Sequence, residues 1–178
     1  MKFEEIFPHI FVINLDEHQE RWRQAQAELI KAGIEHYHRF PAVKVKGGQT
    51  LADRIYGCKK SHLELIRLAK AGEMERILIF EDDLEIDDAF QAHCSFIYDF
   101  LDQYDWELFY LGGNHLLRKN YKVLGPHYLQ VRSTFTTHAY AVHHSAYEAL
   151  IHQLETSEYS MPVDAVYANR IQKRGKSY

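Results

Sequence analysis

The chain has little of what would hold a protein together from outside its own core. It has two cysteines in 178 residues, Cys58 and Cys94. Both fall in helix-patterned stretches and lack CxxC spacing, which excludes a disulfide framework, gives no zinc pattern and suits a reducing compartment. Only 9 Gly and 4 Pro are present, with no internal repeat and no biased segment, which excludes collagen-like and low-complexity chains. No apolar run approaches the roughly 20 residues needed to span a bilayer. The opening Met1-Lys-Phe-Glu-Glu5 is too acidic for a signal peptide, so a cytoplasmic location is expected. Positive charge is not in excess: Lys and Arg number 21 against 25 Asp and Glu, for a net charge of -4 and a pI near 6.3. That balance excludes a protein whose main business is coating nucleic acid.

What is present is a globular composition, 46% hydrophobic and 26% charged. A single domain over residues 1–178 follows, long enough to remove roughly 70% of its extended surface from water without staples. Any metal would then serve chemistry more than folding.

The apolar runs Ile10–Leu15, Ile77–Phe80 and Leu108–Leu111 fit strands buried on both faces. Between the first two lie amphipathic helices predicted over Glu17–Ala32, opened by Asp16 and stopped by Gly33, and over Asp53–Ala71, stopped by Gly72. The second pattern turns Cys58 and His62 inward. A short strand over Tyr37–Val43 and a Gly-Gly loop over Lys44–Thr50 separate these helices, and another helix is expected from near Asp87 to Leu101. This alternation predicts an α/β fold with a largely parallel central sheet flanked by helices, binding ligands beyond the carboxyl ends of its strands. The last third differs. Tyr121–Leu124, Tyr128–Thr134 and Thr137–Val142 read as short strands in a mixed β region, with mixed or antiparallel pairing expected. Helices over Ser145–Leu154 and after Pro162 and a basic end, Lys173-Arg-Gly-Lys-Ser-Tyr178, follow. Lys173, Arg174 and Lys176 offer weak peripheral attraction to an anionic membrane face, about 1 kcal/mol per charge, or simply form a solvated terminus.

Glu81, Asp82 and Asp83 follow the second buried strand directly. Three adjacent carboxylates repel one another unless a cation or hydrogen-bond donors compensate, and hard oxygens of this kind suit Mg²⁺ or Mn²⁺. In extended backbone Glu81 and Asp83 point the same way, as needed to hold a metal that in turn holds a diphosphate. Helix capping accounts for Asp87 and Asp88 and leaves the triplet unexplained.

Several ordered pieces resemble glycosyltransferase family 25, which includes bacterial lipooligosaccharide galactosyltransferases and collagen galactosyltransferases. They are Phe11-Val-Ile-Asn-Leu-Asp16 with Glu20-Arg21, Gly33-Ile34, Arg39-Phe-Pro-Ala-Val43, Gly57-Cys-Lys-Lys-Ser-His62, Ile79-Phe-Glu-Asp-Asp-Leu84, Leu108-Phe-Tyr-Leu-Gly112, Thr137-His-Ala-Tyr140 and Pro162-Val-Asp164. The resemblance implies a GT-A-type nucleotide-sugar-binding fold and inverting transfer of a hexose, galactose first, from UDP-sugar to a saccharide or lipid-linked saccharide of a surface glycan. It implies that Glu81, Asp82 and Asp83 are the metal-binding acidic motif, with Asp83 the first choice of ligand and Glu81 or Asp82 on the metal, ribose or sugar. By the same resemblance Asn14 and Asp16 lie beside the nucleotide and Arg21 beside the uracil or phosphates, although Asp16 also reads as a helix cap and Arg21 as a surface residue. Ser61 and His62 match the family's Ser-His pair and read as pocket wall. His138 would bind metal or diphosphate, a structural histidine being the alternative. Asp164 is the candidate acceptor-side base or, equally, a helix cap. Members of the family continue past the Pro-Val-Asp segment, so this chain is short at its C-terminus by that measure. Two other readings are carried forward: a nucleotide-sugar-binding domain without transfer, and a Mg²⁺-dependent phosphoryl hydrolase. The hydrolase lacks support from any Gly-x-x-x-x-Gly-Lys-Ser/Thr loop or nucleophile setting.

Overall fold

The computed structural model describes residues 3–115 and 121–178; Met1 and Lys2 of the acidic N-terminal segment lie outside them. In chain order the elements are α1 (Phe3–Ile6), β1 (Ile10–Asn14), α2 (Gln19–Lys31), β2 (His38–Pro41), α3 (Leu51–Ala71), β3 (Arg76–Glu81), α4 (Phe90–Gln103) and β4 (Leu108–Tyr110). They continue as β5 (Asn114–His115), β6 (Tyr121–Val123), β7 (Leu129–Val131), β8 (Thr134–Phe135), β9 (Ala139–His143), α5 (Tyr147–Thr156) and α6 (Val163–Val166), the last running on as one wide helical turn over Tyr167–Ile171.

The central sheet has the order β2-β1-β3-β9-β4. β1 pairs parallel with both β2 and β3, while β9 pairs antiparallel with β3 and with β4. Four strands therefore share one direction and β9 alone is reversed between them, a mixed sheet with a parallel majority. Period-two alternation divides the apolar runs between two cores. Ile10, Val12, Leu78 and Phe80 face α1, α2 and α4, whereas Phe11, Ile13, Ile77 and Ile79 face α3, α5 and α6. Both faces are covered, which is why these strands read as continuous apolar runs.

From β1 the chain goes out to β2 and then back past β1 to β3. The order reverses between β1 and β3, and the crevice beyond their carboxyl ends, where Asn14 and Glu81 sit, is the position such sheets use for ligands. Helix starts depart from the sequence expectation. α2 begins at Gln19, because Asp16 gives its carboxylate to Arg39 at 2.7 Å instead of capping the helix. α3 begins two residues earlier than expected, where Thr50 and Asp53 form a reciprocal capping box. Asp87 accepts the Ala89 N–H in the turn before α4, and Asp88 pairs with Lys31, so neither is the N-cap of α4.

The basic end is not a loose tail. Ser177 pairs parallel with Leu108, and Tyr178 both donates to the Leu108 carbonyl and accepts from the Tyr110 N–H. This covers the edge of β4. Arg174 pairs with the buried Glu107 at 2.9 Å and Lys176 with Asp105 at 2.7 Å. Among the described residues no helix is long and apolar enough to cross a membrane.

Candidate functional site

Two clefts meet at the carboxyl end of β3. The larger, about 530 Å³, runs between the β1–α2 turn, the Ala42–Val45 loop and α3; the smaller, about 310 Å³, lies between α3, the Thr136–His138 segment and the start of α6. Cys58, Glu81 and Asp83 line both. The close seat of the loop depends on Gly57, where a Cβ would lie 2.6 Å from the Val43 carbonyl oxygen. Ser61, fully buried one turn later, fixes the same loop by accepting the Val43 N–H and donating to the Gly57 carbonyl, both at 2.8 Å.

The acidic triplet is compensated on two sides. Arg21 Nη2 reaches Asp82 Oδ1 at 3.0 Å and Asp83 Oδ2 at 2.9 Å. Asn14, 1% exposed at the end of β1, donates Nδ2 to Asp82 Oδ2 at 2.6 Å and receives Arg39 Nε on its Oδ1 at 2.9 Å. Glu81 turns the other way, toward His62 and Thr137. Thr137 Oγ1 donates to its Oε1 at 2.7 Å, and His62 Nε2 stands 3.4 Å from the same oxygen without forming a hydrogen bond. Burial works against ionising Glu81, but His62 and Thr137 outweigh it and hold the carboxyl down to about 2. Burial likewise disfavours the His62 imidazolium, yet Cys58 and Glu81 beside it raise its pKa above the ordinary value. On its far side the His62 ring meets Tyr140 Oη at 2.8 Å through Nδ1, and Tyr140 Oη meets Tyr167 Oη at 3.2 Å.

The C-terminal third builds the wall of the smaller cleft. Asp164 is not the cap of α6, which is Pro162; it sits in the first turn and accepts the Thr136 N–H at 3.1 Å and the Ala165 N–H at 2.7 Å. Thr136 has φ +79°, a conformation unfavourable for a β-branched residue, and its buried Oγ1 finds no hydrogen-bond partner. His138 is packed against the bare backbone of Gly112, where a Cβ would lie 2.7 Å from His138 Nε2.

Arg21, Ser61, His62, Glu81, Asp82 and Asp83 thus share the larger cleft, and His138 and Asp164 join Glu81 and Asp83 at the smaller one. Asn14 lies beneath the floor as a holder of Asp82, and Asp16 is exposed and turned to Arg39; neither lines a cleft. Among the described residues one group of three metal-ligating side chains has its ligand atoms all within 4.8 Å of one another, and it is Cys58, His62 and Glu81; Asp83 and His138 are not in it. Contrary to the helical pattern, Cys58 is exposed, opening onto the clefts. Cys58, Arg39 and Thr137 carry structure or chemistry that the sequence reading assigned to no role. The four-residue spacing of Cys58 and His62, which stacks them on one helical face, was the available signal for the first.

Residues 7–167 match the sequence model of glycosyltransferase family 25, described as an LPS biosynthesis protein. Among curated proteins no match is found.

Proposed function

The chain belongs to glycosyltransferase family 25 and is by that membership a glycosyltransferase, and we propose that it moves a hexose, galactose first, from UDP-sugar to a hydroxyl of a surface-glycan saccharide with inversion. The observation that carries this reading is the meeting of two clefts at Glu81 and Asp83, one lined with cationic side chains and the other carrying a fixed carboxylate. Arg21, Lys44 and Arg54 line the larger cleft and suit a diphosphate; Asp164 stands in the smaller one, where an acceptor hydroxyl would arrive.

A divalent ion, Mn²⁺ or Mg²⁺, belongs to the proposal. The donor set fits it through Asp83, which is exposed on the shared wall and offers hard carboxylate oxygens; Glu81, turned toward His62, and His138 are the further candidates on that wall. When bound, such an ion neutralises the charge that develops on the leaving diphosphate. Arg21 adds fixed positive charge next to it. Asp164, held by two backbone N–H groups, takes the proton from the acceptor hydroxyl as that oxygen attacks the sugar carbon opposite the departing diphosphate. Thr136 and Thr137 line this approach, and the cleft beyond His138, about 430 Å³, presents Phe90, Phe96 and Tyr128 as faces for a saccharide.

Thermal stability with UDP, with Mn²⁺ and with both, on the wild type and on Asp83→Asn, tests the donor side. Ligand that binds only the native state raises stability by mass action. A shift that needs both ligands and is lost in the variant is the expected result. No shift with UDP under any metal would overturn the donor-site assignment.

A further inference from the structure

We propose that Cys58, His62 and Glu81 form a zinc-binding site on the wall between the two clefts, one that takes a borderline-soft ion through sulfur, nitrogen and oxygen. This goes beyond the sugar-transfer reading and stands without it, although the two share Glu81.

The three ligand atoms lie within 4.8 Å of one another and come from two elements, α3 and the end of β3. The distance from His62 Nε2 to Glu81 Oε1 is 3.4 Å, and no hydrogen bond joins them. An ion bound tetrahedrally at about 2.0–2.1 Å from each would hold a nitrogen and an oxygen about 3.3–3.4 Å apart, so the observed separation is that of a coordination edge. His62 is 0% exposed, and its Nε2 makes no hydrogen bond and stands only at ion-pair distance from Glu81, which leaves that nitrogen open to a metal.

The surroundings match those of a metal-ligating imidazole and carboxylate. Nδ1 of His62 meets Tyr140 Oη at 2.8 Å, which orients the ring and leaves Nε2 for the ion; Thr137 Oγ1 donates to the Glu81 carboxylate at 2.7 Å. Cys58 is exposed and lines both clefts, so an ion can enter from solvent, and a fourth position is left for water. A thiolate, an imidazole and a carboxylate select Zn²⁺ or Co²⁺ over Mg²⁺, which takes oxygen. Binding replaces the thiol proton of Cys58 and any proton on His62 Nε2, and both are released to solvent as the Zn–S and Zn–N bonds form.

Co²⁺, which carries a chromophore where Zn²⁺ has none, is the probe. Titrated into the whole chain, it is expected to bind one equivalent with a near-ultraviolet thiolate-to-cobalt band and intense tetrahedral visible bands, both erased by an equivalent of Zn²⁺. Cys58→Ser should remove the thiolate band, while Cys94→Ser, at a buried cysteine elsewhere, should keep it. Tyr140→Phe, which leaves all three ligands in place, should weaken Zn²⁺ affinity about 10–100-fold. Circular dichroism confirms that each variant is folded; should Tyr140→Phe not fold, Thr137→Val tests the same support at Glu81. A weak octahedral cobalt spectrum without a thiolate band, or a thiolate band that survives in Cys58→Ser, would overturn the site. The readout needs no UDP and no acceptor, so failure here is separate from failure of the transfer reading.

Discussion

The two clefts that meet at Glu81 are built in opposite ways. The larger is made where β1 and β3 end side by side, and its carboxylates are held from within and beneath: Arg21 on Asp82 and Asp83, Asn14 under Asp82, and Arg39 behind Asn14. The smaller is assembled from segments far apart in sequence. Thr136 sits in an unfavourable backbone conformation and its N–H is tied to Asp164, which comes 28 residues later. A cleft between parallel strand ends inherits its rigidity from the sheet, whereas one made of a strained turn and a short helix owes its shape to a few hydrogen bonds. Grip on a donor suits the first, and placement of a reacting hydroxyl suits the second.

Asp164→Asn should sharpen that division most. It keeps an oxygen to accept a backbone N–H but loses the base, so kcat for transfer is expected to fall about 10²–10⁴-fold. The UDP-dependent thermal shift should survive unchanged. An equal loss of UDP binding would show that the two clefts are not separable.

Asn14→Ala attacks the donor side from beneath. It removes the amide bond to the buried Asp82 carboxylate, leaving Arg21 as the ion-pair partner of Asp82 and Asp16 as that of Arg39, at a cost of about 1–3 kcal/mol in denaturant unfolding. A variant as stable as the wild type would mean that the floor is held by Arg21 alone.

The tyrosines packed around Tyr140 give a pH test. Tyr167 is buried and Tyr110 half-buried, and burial, the largest cause, raises both phenols above their ordinary value. A raised folded pKa means that the native state holds the proton more tightly. Their contribution is therefore complete below about pH 10, the unfolded value, and is lost as pH rises beyond it, at up to about 1.4 kcal/mol per pH unit for each tyrosine. Melting temperature measured between pH 8 and 12 should decline above about pH 10, and Tyr167→Phe should shallow the decline. A decline of the same slope in that variant would place the alkaline sensitivity elsewhere.

Much of the parallel half was legible in the sequence. Ile10–Asn14 and Arg76–Glu81 are buried on both faces, so their apolar runs are unbroken, and the helices between them carry their own stop signals, such as Gly33 with φ +71°. The acidic triplet could be seen as a site for the same reason: nothing local explains three carboxylates at a buried strand end. What compensates it could not be seen. Arg21, Asn14, His62 and Thr137 reach it from four different segments, the nearest of them in sequence 19 residues away.

Mixed or antiparallel pairing was expected of the Thr137–Val142 strand, but its place between β3 and β4 in the central sheet escaped the pattern, since an apolar stretch carries no sign of its neighbours. Cys58 escaped it for another reason. Helical periodicity placed it inward with His62, but the side of α3 that it occupies faces the space between two clefts instead of a packed neighbour. The last residues looked like a solvated basic end and instead bind the edge of β4, because backbone hydrogen bonding to an open edge depends little on side chains.

By itself the sequence determined which residues enter the sheet and its covering helices, and that carboxylates gather at the end of β3, because burial and periodicity are properties of local stretches. Only the tertiary structure decided which charge meets which, that β9 enters the central sheet between β3 and β4, and that Cys58, His62 and Glu81 converge within 4.8 Å. Those outcomes depend on the distance and direction between segments remote in the chain, which no local pattern encodes.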